Sequence, residues 1–97
     1  MAVPDADAVY TDVWQTMAPG DEDQQAQRLA EFRGFRIDRG LPRRCPRAIA
    51  MHCAPMRRGG EIEESVAYSG RSVILRQEHN RLFVNLAILT RMAEKVA

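Results

Sequence analysis

Apolar residues recur at helical intervals from the start of the chain. Ala6, Val9, Tyr10, Val13, Trp14 and Met17 fall at i, i+3, i+4, i+7, i+8 and i+11, one stripe of a helix over residues 5–18. Pro4 and the early aspartates suit a helix start, where the dipole favours negative charge, and Pro19-Gly20 ends it. A second helix is predicted from Glu22 to Arg33, with Asp21 as cap, Gln24 reaching back and Gly34 as terminator. Its apolar positions are only Ala26, Leu29, Ala30 and Phe32, so packing rather than propensity must hold it.

The pattern breaks over residues 35–47, where Gly40, Pro42 and Pro46 punctuate a loop. Pro46 can open a short helix over Arg47 to Ala54, whereas the alternation of Ile49, Met51 and Cys53 allows a strand. Pro55 ends either one, and Gly59-Gly60 makes a turn. Residues 61–79 have two readings. Ile62–Tyr68 and Arg71–Gln77 can pair as a hairpin across Ser69-Gly70. Alternatively, Glu61–Ser69 is a short helix and a long helix begins near Ser72. The register Leu75, His79, Leu82, Leu86, Leu89, Ala93, Val96, with steps alternating between four and three, favours the helical reading. Phe83, Val84, Ile88 and Met92 lie off that line, so the C-terminal helix is apolar nearly all round and fits a fold centre or a shared surface. The expected architecture is a small, mainly α single domain over residues 1–97, with four or five helices and a long C-terminal one. An α+β domain with a hairpin at 61–77 is the alternative.

Charge divides the same chain into three parts: an acidic helical part (1–32), an Arg-rich loop segment (33–58) and a C-terminal helical part (59–97). Residues 33–58 hold eight of the fourteen basic residues against the single acid Asp38, a net of +7, while residues 1–27 carry six acids and no Lys or Arg. Clustered arginines neutralise several phosphates together, and a planar guanidinium suits phosphate and carboxylate alike. The expected anion-binding residues are therefore Arg33, Arg36, Arg39, Arg43, Arg44, Arg47, Arg57 and Arg58, with Phe32 and Phe35 as stacking platforms. This points to a non-enzymatic binding or regulatory protein on a nucleic-acid or ribonucleoprotein assembly. An acidic protein surface satisfies the same arginines, as does the chain's own acidic first third. The alternative is a protein–protein module, such as an inhibitor or the subunit of a larger complex or homo-oligomer, that docks through Leu82, Leu86, Leu89 and Met92.

Motifs for chemistry are sparse, and no enzyme, cofactor or metal is expected. A cysteine phosphatase loop needs an arginine after five intervening residues, but that position holds Met51 counting from Cys45 and Gly59 counting from Cys53, so no such loop forms. Cys45, His52, Cys53 and His79 lack the paired spacing of a zinc site. Cys45 lies among Arg43, Arg44 and Arg47, and positive charge lowers a thiol's pKa, which makes it the candidate for a redox-sensing thiol. His79 reads as the edge of a core stripe. Neither a phosphate-binding glycine loop nor a nucleophile elbow is present. The start, MAVPDADAV, lacks the features of a signal peptide, and the longest apolar run, Leu86 to Leu89, is four residues. A cytoplasmic protein with no membrane segment is expected.

Overall fold

The computed structural model describes residues 4–14, 22–57 and 59–97. Two short strands, β1 (Ala8–Thr11) and β2 (Ile49–His52), pair in parallel with Thr11 opposite His52. Between them the chain runs through helix α1 (Glu22–Phe32), a 3-10 turn (Arg33–Phe35) and the one-turn helix α2 (Leu41–Arg44). After β2 come α3 (Glu64–Ala67) and the long helix α4 (Ile74–Val96). A parallel pair needs a crossover, and α1 with α2 supplies it. The fold is α/β with a parallel sheet. This overturns the mainly α architecture and, equally, the alternative with a hairpin at 61–77.

The helix expected over 5–18 is replaced at its centre by β1. Val, Tyr and Thr in Ala8–Thr11 favour the pleated backbone, and the strand gains a partner from residues about forty positions away, which local periodicity does not register. The Met17 and Pro19-Gly20 end of that helix lies outside the described residues, as does the Asp21 cap. α1 forms where the pattern placed a helix, and Gly34 sits in the 3-10 turn that ends it. Of the two readings of 47–54 the strand forms, but on the opposite face. Ala50 and His52 are buried, while Ile49 is exposed. Residues 61–79 take the helical course.

The core gathers small and medium apolar residues from the segments between Ile37 and Ile74, with none from α1. Ile37, Leu41, Cys45, Ala48, Ala50, Ile62, Val66, Ala67 and Ile74 are all buried. Two isolated parallel bridges, Ile37 with Ile62 and Ala50 with Ser72, extend the pairing on both sides of β2's neighbourhood. The segment 37–41 turns sharply there: the Asp38 carboxylate accepts the Gly40 N–H at 2.7 Å and pairs with Arg44 at 2.6 Å. Gly40 permits this, since a Cβ would lie 2.7 Å from the Arg44 guanidinium. α4 departs from this body. Only Ile74 is buried along it, and Leu82, Phe83, Leu86, Leu89 and Met92 are all exposed.

Candidate functional site

In a parallel sheet both strands end at the same edge, and the crevice beyond those ends is where open α/β folds hold ligands. Here the residue after β1 is Asp12 and the residue after β2 is Cys53. They meet: the Cys53 thiol donates to Asp12 Oδ1 at 2.8 Å, although the two lie 41 positions apart in the chain. The Val13 N–H donates to the same oxygen at 2.6 Å. The Cys53 hydrogen bond, helped by Val13, holds the Asp12 carboxyl below the usual carboxylate range. The same hydrogen bond to Asp12, with some burial, pushes the Cys53 thiol up. At neutral pH the pair is therefore a carboxylate beside a protonated thiol.

Behind Cys53 lies a buried polar cluster. His52 and Glu61 are essentially inaccessible, and His52 Nε2 lies 2.8 Å from Glu61 Oε1. The Arg57 N–H donates to that same oxygen at 2.8 Å, and the Ala54 N–H donates to His52 Nδ1 at 2.7 Å. Ala54 has φ +45°, a left-handed conformation that costs a residue with a Cβ about 1–2 kcal/mol. The first turns of α4 join in: Gln77 accepts the His52 N–H and donates to the Tyr10 hydroxyl, and Arg81 donates to the Cys53 carbonyl. Beside Asp12 opens a cavity of about 820 Å³, lined among others by Trp14, Phe32, Phe35, Arg28 and Arg36. Among the described residues no group of His, Cys, Asp and Glu is arranged to hold a metal ion.

Four of the eight arginines expected to meet an external anion are engaged within the chain. Arg36 and Arg39 both approach the Glu63 carboxylate, at 3.7 and 3.5 Å, and the Arg39 N–H donates to it at 2.9 Å. These contacts, led by that backbone N–H, hold Glu63 below the usual carboxylate range. Arg44 pairs with Asp38, which its guanidinium also lowers, and Arg47 reaches Asp7 at 3.4 Å. Arg33, Arg43 and Arg57 are exposed, and Arg58 lies outside the described residues. Phe32 and Phe35 pack on each other at 5.9 Å between ring centroids, and Phe32 stacks on Trp14 at 6.2 Å. Leu82, Leu86, Leu89 and Met92 stay on the uncovered part of α4, and His79 makes an edge contact with Phe83 at 5.0 Å. Cys45, singled out for its arginine neighbours, is only 1% exposed in the core; the thiol in the crevice is Cys53.

With this geometry in place, the comparisons with known proteins agree with one another. The profile described as "Aspartate/ornithine carbamoyltransferase, Asp/Orn binding domain" matches residues 1–92. The chain belongs to this family. It is 49% identical to ornithine carbamoyltransferase of Methanopyrus kandleri over 89 residues, covering 91% of this chain and 28% of that protein. The solved ornithine carbamoyltransferase of Pyrococcus furiosus superposes with a TM-score of 0.79 at 40% identity, over 91% of this chain and 28% of that one. The anabolic enzyme of Campylobacter jejuni gives 0.80 at 33% identity, over 97% and 31%. The chain thus spans less than a third of the relatives it matches. These relatives are transferases, so the expectation of a non-enzymatic regulator or inhibitor on nucleic acid is overturned. Four of the eight arginines in the segment meet Glu63, Asp38 or Asp7 within the chain.

Proposed function

We propose that this chain is the ornithine-binding part of an ornithine carbamoyltransferase, and that Asp12 and Cys53 form the centre of its amino-acid site. The observation that carries this reading is the meeting of the two residues at the carboxyl ends of adjacent parallel strands. Asp12 presents a negative charge there, and a carboxylate complements an ammonium group while repelling a second carboxylate. That favours a diamino acid such as ornithine over aspartate, and the relatives cited above carry the name ornithine carbamoyltransferase.

The protonation states restrict the roles. A carboxyl held below its usual range is a weak base, so Asp12 orients a cationic amine by charge instead of removing its proton. A thiol pushed up by its neighbour is not the nucleophile at neutral pH, so Cys53 acts as a hydrogen-bond donor and a wall. The Arg-bearing aromatic cavity beside Asp12 gives room for the rest of the amino acid.

Calorimetric titration of the chain with L-ornithine and L-aspartate tests the reading. Ornithine binding that is lost in Asp12→Asn is the expected result. Preference for aspartate, or ornithine binding untouched by Asp12→Asn, would overturn it.

A further inference from the structure

The Asp12–Cys53 contact depends on a sharp turn just after β2, and the chain supplies a means of holding it. Two hydrogen bonds fix the chemistry of the His52 ring. Its Nδ1 receives the Ala54 N–H at 2.7 Å and must therefore carry a lone pair, which leaves Nε2 as the protonated nitrogen. Nε2–H then donates to Glu61 Oε1, the oxygen that also accepts the Arg57 N–H. One buried carboxylate oxygen thus ties together the two ends of the loop 52–57, through the ring at one end and the backbone at the other. Inside that clasp Ala54 holds its left-handed φ of +45°, and Cys53 is left reaching Asp12.

We propose that His52 and Glu61 are positioning residues, a buried clasp that sets the Cys53–Ala54 turn and thereby aims the Cys53 thiol at Asp12. Neither faces the crevice directly; both are inaccessible, and each acts through the loop it holds. A nonpolar pair would fill the same space but would offer the Ala54 and Arg57 N–H groups no acceptor. Only the Nε2–H tautomer lets a single ring accept from the loop and donate to the carboxylate at once. The inference rests on the reading of Asp12 and Cys53 as the centre of the site for its purpose, though not for its geometry.

The test reads the turn itself, with no ornithine present, so that a failure of the clasp and a failure of ornithine binding are seen separately. The probe is alkylation by iodoacetamide at neutral pH, followed at Cys53 by mass spectrometry, with buried Cys45 as an internal reference. In His52→Gln the amide nitrogen reproduces the donor to Glu61, but nothing replaces the acceptor for Ala54. In His52→Asn the amide oxygen stands in for Nδ1 instead. The turn relaxes in the first variant, Cys53 parts from Asp12, and its alkylation quickens by about threefold or more, as a larger thiolate fraction requires. His52→Asn keeps the acceptor for Ala54 and loses only the link to Glu61, so its alkylation quickens less than that of His52→Gln. A role limited to filling space would disturb the smaller Asn at least as much as Gln, and a rate in His52→Asn equal to or above that in His52→Gln would overturn the proposal. Nitrogen NMR of the unaltered chain gives a second readout that no misfolded variant can obscure. It should show His52 as the Nε2–H tautomer, and a protonated Nδ1 would overturn the clasp by itself.

Discussion

Two parts of the molecule reverse the usual placement of polar and apolar groups. At the end of β2, His52 and Glu61 are polar and wholly buried. Along α4 beyond its second turn, Leu82, Phe83, Leu86, Ile88, Leu89 and Met92 are apolar and more than half exposed. The buried polar pair is satisfied by partners within residues 52–61, so its cost is met locally. The exposed apolar helix has no such local answer among the described residues. The first region holds a shape by itself. The second is a surface of the kind that larger assemblies cover. Both meet at Gln77 and Arg81, which tie the start of α4 to His52, Tyr10 and Cys53.

Substitutions should separate the two regions by size of effect. Ile62→Ala sets the scale, since Ile62 is fully buried and its loss leaves a cavity costing about 4 kcal/mol, measured by urea unfolding. Glu61→Ala comes next. It strands the buried His52 ring donor and takes the acceptor from the Arg57 N–H, and should cost about 3 kcal/mol in the same assay. Leu86→Asp, at a position 57% exposed on α4, should change unfolding by no more than about 0.5 kcal/mol. A loss comparable to that of Ile62→Ala would mean that α4 is core, and the contrast between the regions would collapse.

The smallest effect is on pH. The Cys53 pKa is raised by Asp12, so the stabilisation from this contact is fully present below the ordinary thiol value of 9.0. It is lost as pH rises through the folded-state value above it. The Asp12 pKa is lowered, so at the acid end the contribution is present above the unfolded carboxyl value and fades as pH falls through the depressed one. The rate of Cys53 alkylation against pH should accordingly have its midpoint above 9.0, and Asp12→Asn should bring that midpoint down. An unmoved midpoint would show that Asp12 does not govern the thiol.

Local periodicity served best where structure is local. α1 and the long α4 were legible because a helix satisfies its backbone within a few residues, and the heptad-like run from Leu75 to Val96 is such a signal. β1 was not, because Ala8–Thr11 also carries a helical stripe and its pairing with Ile49–His52 is invisible to any short window. The candidate site was missed for the same reason. Asp12 and Cys53 are adjacent only through that pairing, and neither has a neighbouring motif. The β-favouring Val-Tyr-Thr run before Asp12 and the alternation of Ile49, Met51 and Cys53 are the faint traces of the two strands. The nucleic-acid reading rested on charge along the chain, which does not show the carboxylates that folding sets against Arg36, Arg39, Arg44 and Arg47, and the relatives overturned it.

We assign an amino-acid site to the ends of β1 and β2. That assignment is tested most directly by mapping backbone amide shifts of the isotopically labelled chain as L-ornithine is added. Shifts should concentrate at Asp12, Val13, Cys53 and Ala54, with Leu86 and Met92 on α4 unmoved, and none of them should occur in Asp12→Asn. Shifts confined to α4 or to the Arg-rich segment around Arg43, with Asp12 and Cys53 silent, would contradict it.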